Sequence, residues 1–343
     1  MPTASRQQAL VLSGGGGRGA YHVGVLRFLE EHDWNPGIVV GTSIGAVNGA
    51  AIASGHNAHS LWALWRRLNT KDVQKANLNP LNGNFLLNTA PLRRTLQSQG
   101  WVDFDRINSD DAAVHLRVTA TEVTSGRLHV FGNSDDIYPS KMHREPLGLD
   151  HIIASCSIPI VYPATQLHDS LYWDGATVAN TPLGPAIDAG AEEIVVVIMT
   201  PWGEEGETAA ETPRNLLSAA STTLEWALLA SFQADLKMFR RVNELVQLRL
   251  ENARLRAANA LLRRQLMGEP VNLPDADGDG IPDILQEGYH ALPEPLVVAP
   301  RKPIPVERIV SYTLEGHEEL YRMGYEDAKR AWREAEKPVE GEA

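Results

Sequence analysis

The sequence predicts a three-layer α/β/α fold with a mainly parallel central sheet and a helical C-terminal extension. Three observations lead to this prediction. Two short apolar runs, residues 9–12 and 38–40, each lead through a glycine-containing turn into a helix-compatible stretch. A third run, residues 193–199, is almost continuously apolar, as in a strand buried on both faces of a parallel sheet. Residues 214–267 contain neither glycine nor proline, which indicates one or two long helices.

Composition and charge narrow the class of protein. The chain has 343 residues, a hydrophobic content of 43% and a formal net charge of −12, which argues against nucleic acid as a partner. Cys156 is the single cysteine, so the chain cannot form an internal disulfide. We see no signal-peptide pattern and no apolar run of membrane-spanning length. The expected location is cytoplasmic or peripheral to a membrane.

The first motif is Gly-Thr-Ser-Ile-Gly at residues 41–45. It lies between the apolar run 38–40 and a stretch rich in alanine and glycine, which is the sequence form of a strand, a tight turn and a helix with Ser43 on the turn. Gly41 and Gly45 leave room for the strained turn, and the helix that follows points its positive end at Ser43. Alone, the motif also fits an ordinary turn. Its setting favours a nucleophilic serine.

The second motif is the glycine-rich stretch 13–19, which follows the strand predicted for residues 9–12. Such a loop exposes backbone N–H groups to an anion. One interpretation is a dinucleotide site, because Gly14, Gly16 and Gly19 have the required spacing, but an acidic residue should then follow the second strand. The chain has Gly-Thr-Ser there instead. A glycine loop beside a serine turn fits an oxyanion hole better.

The third motif is Asp174-Gly175-Ala176, which follows Tyr172 and Trp173. A carboxylate between aromatic residues and a glycine can lose solvation and gain basicity, as a general base requires. The alternative is a surface turn, because Asp-Gly is a favoured turn dipeptide. A Ser-Asp-His triad of the α/β-hydrolase kind needs a histidine after the acid. Only His290 and His317 follow Asp174, and neither lies in a suitable strand-to-loop setting.

In this order the three motifs resemble the patatin-like phospholipase family, over roughly residues 9–200. The resemblance implies a Ser–Asp dyad, with Ser43 as nucleophile and Asp174 as base, and no cofactor for catalysis. Many members have Asp-Gly-Gly where this chain has Asp-Gly-Ala, a change that keeps the carboxylate. The implied oxyanion-hole residues are Gly14, Gly15, Gly16, Gly17, Arg18 and Gly19, and the implied elbow and dyad-motif residues are Gly41, Gly45, Gly175 and Ala176.

The function expected from this resemblance is hydrolysis of a lipid carboxylic ester, of phospholipase A or lysophospholipase type, through an acyl-enzyme intermediate. A thioesterase or a general esterase is the alternative among enzymes. A non-catalytic lipid-binding or scaffolding protein with a vestigial site is the alternative from another class. A fluorophosphonate probe separates the enzyme from the non-catalytic protein, because it labels a reactive serine.

The predicted organisation has four parts. Residues 7–212 form the catalytic core, in which 114–121 and 127–131 pair as a hairpin. Residues 213–288 form a long helical extension, and 289–334 return to the core as a strand near 296–298 and a helix over 309–332. Residues 335–343 form a flexible tail.

The extension contains a basic segment, residues 237–264, with eight basic and two acidic residues, a local net charge of +6. We weigh two interpretations. The segment contacts anionic headgroups of a membrane, or it is a solvated helix that packs on the core or on a second copy in a homodimer.

The extension ends in an acidic loop whose spacing follows that of an EF-hand calcium loop, although Gln286 stands where the last carboxylate is expected. It predicts either a structural calcium site or a solvated acidic turn. The candidate ligands are Asp275, Asp277, Asp279, Ile281 and Asp283.

Overall fold

The computed structural model describes residues 7–77, 85–98, 100–137, 141–202, 216–267 and 291–336. The strands are β1 Gln8–Leu12, β2 Ile38–Thr42, β3 Lys75–Ala76, β4 Leu87–Asn88, β5 His115–Glu122, β6 Leu128–Gly132, β7 His143–Arg144, β8 Thr165–Leu167, β9 Ser170–Asp174, β10 Glu193–Val197 and β11 Leu296–Val298. The helices are α1 Ala20–Glu31, α2 Ile44–Ala53, α3 Ala58–Trp65, α4 Thr70–Val73, α5 Ala90–Ser98, α6 Phe104–Ile107, α7 Leu149–Ser155, α8 Gly184–Asp188, α9 Leu216–Leu266 and α10 Leu314–Ala335.

The central sheet has the order β11-β10-β1-β2-β5-β6-β7, and β9 with β8 joins it at β5. Five neighbouring strands, from β11 to β5, are parallel. β6 pairs antiparallel with β5, which confirms the predicted hairpin. The late strand is also confirmed, because β11 extends the sheet beside β10.

Helices cover both faces of the sheet, as the three-layer prediction required. Along each strand successive side chains point to opposite faces. Leu10, Val39 and Val195 share the main core cluster with buried residues of α1, α2, α7 and α10. Val11 and Val40 point to the other face and are fully buried, on the side where α8 packs against β1 and β2.

The chain divides into two compact units, residues 1–233 with 295–343, and residues 234–294. The division falls inside α9 and not near residue 213, where the predicted core ends. The beginning of α9 belongs to the first unit because Phe232 is buried and lies edge-on against Trp202, and Ser231 Oγ donates to the Val178 carbonyl at 3.3 Å. A helix that passes from one unit into the other leaves no break in the sequence.

The C-terminal segment of the first unit completes the fold. Residues 306–309 form a short 3₁₀ turn, so α10 begins at Leu314, later than the predicted helix, where the Thr313 side chain caps it. α10 packs along α1, and the Tyr21 hydroxyl donates to Asp327 Oδ2 at 3.0 Å. Within the described residues, none of the helices has the length and apolar character that crossing a bilayer requires.

Candidate active site

Ser43 occupies the turn between β2 and α2. Its backbone has φ 55° and ψ −123°, a conformation that costs a non-glycine residue about 1–3 kcal/mol and persists where the surroundings enforce it. The Ser43 N–H donates to Ser155 Oγ at 2.9 Å. The flanking glycines are required by space, since a Cβ on Gly45 would lie 2.2 Å from the Leu12 carbonyl oxygen and one on Gly41 would lie 2.4 Å from that of Gly45.

Asp174 is the last residue of β9 and is held at three points. Its N–H donates to the Ser157 carbonyl at 2.9 Å, its carbonyl accepts from Thr121 Oγ1 at 3.0 Å, and its Oδ1 accepts from the Ala176 N–H at 2.8 Å. Gly175 fits because a Cβ there would lie 2.4 Å from Thr119 Oγ1. Two of these contacts therefore fix the backbone of Asp174, and the third fixes its carboxylate.

The register of β5 brings these two positions together. On one side of β5, Thr42 of β2 pairs with Thr119. Ala120 pairs with His129 of β6 on the other side, so its partner in β9, Asp174, lies on the β2 side. β2 runs parallel to β5 and β9 runs antiparallel, so the two strands approach head to head and end at neighbouring β5 residues. Ser43 follows directly after one end, and Asp174 is the other end.

Burial controls the charge of Asp174. Its side chain is 2% exposed, and burial raises the pKa of the carboxyl to about 7, against lowering by hydrogen bonds from the Ser43 hydroxyl and the Ala176 N–H. Oδ2 nevertheless has no partner of standard geometry among the described residues.

The glycine loop lies beside Ser43, as β1 and β2 are neighbours. A Cβ on Gly14 would lie 3.1 Å from Ser43 Cβ and 3.5 Å from Ala176 Cβ. Two loop amides are already occupied, because the Gly14 N–H donates to Asn180 Oδ1 at 2.9 Å and the Arg18 N–H to the Gly15 carbonyl at 3.2 Å.

The rest of this loop is tightly packed. Gly16 has φ +56°, and a Cβ there would lie 2.1 Å from the Ile309 carbonyl oxygen. A Cβ on Gly17 would lie 2.3 Å from the Arg308 carbonyl oxygen, and one on Gly19 would lie 2.5 Å from the Ile44 side chain. Arg18 is buried. Side chains are thus excluded from the loop at several points, and its backbone approaches the serine turn closely.

Sequence reasoning missed three supporting residues. Ser155 accepts from the Ser43 N–H, Asn180 holds the Gly14 N–H, and the buried thiol of Cys156 lies beside the Ser43 hydroxyl. Burial raises the pKa of Cys156 well above its usual value, with a further rise from Asp174, so the thiol is neutral. The small-residue run 152–159 was the available signal, but its chemistry depends on contacts that sequence does not reveal.

A small apolar cavity adjoins the nucleophile turn through Ile44. Its lining is aliphatic and aromatic apart from one threonine, and comprises Ile44, Val47, Leu68, Val73, Leu92, Thr95, Leu96, Trp101 and Tyr312. Its volume is about 10 Å³, which is about the size that one water molecule needs and too small for an acyl chain.

Two groups of residues are candidates for metal binding. The predicted calcium ligands, Asp275 to Asp283, lie outside the described residues, and calcium binding there stays a prediction. In the described part of the chain, Glu145, His151 and His168 converge. His151 Nδ1 accepts from the Gly148 N–H at 2.9 Å, so a neutral ring carries its proton on Nε2, which faces Glu145 Oε1 at 3.3 Å. With its proton on Nε2, His151 does not offer that nitrogen to a metal ion.

The chain matches the model of a known protein family. The family model described as patatin-like phospholipase matches residues 10–187, more than half of the 343-residue chain. The matched region contains the glycine loop, Ser43 and Asp174.

Several curated relatives are similar to this chain. Lysophospholipase NTE1 of Meyerozyma guilliermondii is 28% identical over 256 residues, 74% of this chain and 16% of that protein. Triacylglycerol lipase 4 of Saccharomyces cerevisiae is 26% identical over 179 residues, 47% of this chain and 19% of that protein. The chain thus spans less than a fifth of the length of these relatives.

Two solved structures are also similar to this chain. VipD from Legionella pneumophila aligns with a TM-score of 0.44 and 12% identity, over 97% of this chain and 68% of that one. The type III effector protein ExoU aligns with a TM-score of 0.31 and 17% identity, over 75% of this chain and 65% of that one.

Proposed function

Because the chain belongs to the patatin-like phospholipase family, we propose that it is a serine lipid acyl hydrolase that cleaves carboxylic esters. Ser43 is the nucleophile and Asp174 the general base. The observation that carries the proposal is the head-to-head ending of β2 and β9 beside β5, with Ser43 and the Asp174 carboxylate at the meeting point.

The proposed chemistry has two steps. Asp174 takes the proton of the Ser43 hydroxyl as Oγ attacks the ester carbonyl carbon. The tetrahedral intermediate then expels the alcohol, which receives that proton, and an acyl-serine remains. Water next gives a proton to Asp174 and attacks the acyl carbon of the acyl-serine. The second tetrahedral intermediate expels Ser43 Oγ, which takes that proton from Asp174, and the fatty acid is released. A carboxyl pKa of about 7 makes Asp174 a far better base than an exposed aspartate.

Backbone amides of the glycine loop stabilise the oxyanion in this proposal. The Gly14 and Arg18 amides are engaged within the protein, and Gly19 is the last residue of the 3₁₀ turn Gly16–Gly19. Gly15, Gly16 and Gly17, which lie before this turn or at its beginning, are therefore the candidate donors. The first N–H groups of a helical turn have no acceptor inside it, so they can point at an anion. The positive end of α2 acts at the same point.

The names of the relatives, a lysophospholipase and a triacylglycerol lipase, support an ester of a lipid without deciding the headgroup. Incubation with a mixed lipid extract, followed by mass spectrometry, identifies the lipid class that is consumed. Contact of residues 237–264 with an anionic membrane stays a prediction, and so does a homodimer through the same helix.

The proposal is tested with Ser43→Ala and Asp174→Asn on a p-nitrophenyl acyl ester. Each change is expected to lower kcat/KM by on the order of 10³-fold or more, because it removes the nucleophile or the base. Asp188→Asn is the matched control. Asp188 is also partly buried, and burial together with Asp136 raises its pKa to about 6, but it lies at the end of α8 and is expected to be dispensable.

A fluorophosphonate probe separates this hydrolase from a lipid-binding protein with an inert site. Labelling of the parent chain at Ser43, with none in Ser43→Ala, is the expected result. Substantial turnover by either dyad variant, or absence of labelling in the folded parent chain, overturns the assignment.

A further inference from the structure

The C-terminal part of α9, residues 245–266, presents a continuous stripe of exposed leucines. Leu248, Leu255 and Leu262 are seven residues apart and are 48%, 56% and 56% exposed, and Leu245 and Leu266 are 58% and 86% exposed. Aliphatic side chains in a row at this spacing are rare on a surface that stays in water, and they indicate a face that another molecule covers.

The helix is not exposed on all sides, either just before this part or within it. Asn243 Oδ1 accepts from the Leu292 N–H at 2.9 Å, and Arg240 Nε donates to Glu294 at 2.7 Å. Val246, Leu250 and Ala253 are half-buried. One side of the helix is therefore partly covered within residues 234–294, and the leucine stripe lies on the opposite side.

The stripe follows a seven-residue repeat. With Leu245 at position a, three leucines fall at position d and two asparagines at position a. Alternating a and d positions with leucine at d form the seam of a two-stranded coiled coil, and asparagine at a selects two parallel strands in register because the side chains pair across the seam. The a positions are Leu245, Asn252, Asn259 and Leu266, and the d positions are Leu248, Leu255 and Leu262.

The charged residues beside the stripe have opposite signs at the positions where two parallel copies would meet. Glu251 falls at position g and Arg256 at the next position e, and both are exposed. In a parallel two-stranded coiled coil, a g residue of one chain meets the following e residue of the other. Glu244 and Arg249 have the same relation one heptad earlier. The two acidic residues of the basic segment thus both stand opposite an arginine of the partner.

We propose that residues 245–266 form a parallel, in-register, two-stranded coiled coil with a second copy of this chain. A membrane is a poorer occupant of the same face. It would bury Asn252 and Asn259 without partners and bring Glu251 against anionic headgroups, whereas a second copy pairs all three. The proposal concerns assembly and holds whether or not the chain hydrolyses lipids.

The first test measures mass in solution by sedimentation equilibrium of the full chain. A dimer has twice the 37.6 kDa of one chain. Leu255→Lys is expected to give the monomer, because a charge then faces its own copy in the seam. Arg254→Lys is the matched control. Arg254 is exposed and next to Leu255, but it lies at position c, outside the seam, so this variant is expected to remain dimeric. Far-UV circular dichroism checks that both variants fold.

The second test addresses charge pairing and direction. Arg256→Glu and Glu251→Arg should each raise the dimer dissociation constant by on the order of tenfold, and the double variant should recover it. Asn252→Cys should form an interchain disulfide under mild oxidation, as the a positions of parallel, in-register chains face each other. Gln247→Cys, at position c, should not, and the buried Cys156 of the parent chain is the background control.

Three results overturn the proposal. One is a monomeric parent chain at every concentration studied, and another is a dimer that Leu255→Lys leaves intact. The third is a monomer that co-sediments with vesicles of phosphatidylcholine and phosphatidylglycerol and loses this binding in Leu255→Lys, which would assign the stripe to a membrane.

Discussion

Asp174 combines nearly complete burial with one well-formed hydrogen bond to its carboxylate among the residues that the structure describes. The Ala176 N–H contacts Oδ1, and the Ser43 hydroxyl is the other group close enough to lower the pKa of the carboxyl. Burial outweighs both contacts and raises that pKa to about 7. The same environment that makes the charged form costly also makes it a strong proton acceptor.

This balance predicts the pH dependence of turnover. General-base catalysis needs ionised Asp174, and burial favours the neutral form, so the active fraction grows only as pH rises through about 7. We expect kcat/KM on a p-nitrophenyl acyl ester to rise with a midpoint near pH 7 and then level off. Asp188→Asn should leave the midpoint in place. A profile already flat from about pH 5 upward, as an ordinary aspartate would give, contradicts the prediction.

Strands and helices divide the work of building the site. β2 and β9 set the positions of Ser43 and Asp174 along β5, and α7 ties the two together from one side. The last residue of α7, Ser155, accepts from the Ser43 N–H, and two residues later the Ser157 carbonyl accepts from the Asp174 N–H. One short segment thus contacts both members of the proposed dyad.

Ser155→Ala therefore tests whether α7 positions the nucleophile. It leaves the N–H of Ser43 without its acceptor at a strained turn, and we expect kcat to fall about tenfold with little change in KM, from roughly 1–2 kcal/mol of lost support. Ser157→Ala is the matched control. Its hydroxyl is equally buried but contacts the Ile153 carbonyl and Thr165, so it should cost stability and leave kcat near the parent value. Equal kcat losses in both variants would contradict a positioning role.

Local sequence predicts the elements better than their meeting points. The order of apolar and glycine residues predicts the turn at Ser43, the glycine loop and the parallel strands. The observed sheet contains these parallel strands. The contacts of Asn180 with Gly14 and of Ser155 with Ser43 join residues 166 and 112 positions apart, and no local pattern encodes them. The division inside α9 was also missed, because nothing in its composition marks where one unit ends.

The molecule depends on residues well beyond the matched region 10–187. β10 and β11 extend the parallel sheet past β1. The segment 308–311 presses carbonyl groups against the glycine loop, at Gly16 and Gly17. α10 covers α1, the helix that follows this loop. The C-terminal part therefore supports the proposed oxyanion donors from behind.

The crossing of α1 and α10 is close enough to test by adding one methyl group. A Cβ on Gly324 would lie 2.1 Å from the Tyr21 carbonyl oxygen, and one on Gly24 would lie 1.9 Å from that of Tyr321, so backbone meets backbone and no side chain can move aside. We expect Gly324→Ala to lower the free energy of unfolding in urea by about 1–3 kcal/mol, the usual cost of overpacking. Gly37→Ala, with nothing within 4 Å of its Cβ, should change it by less than about 0.5 kcal/mol. If the two variants were equally stable, the helices would have room to separate, and the C-terminal segment could not hold the glycine loop as tightly as its carbonyl contacts imply.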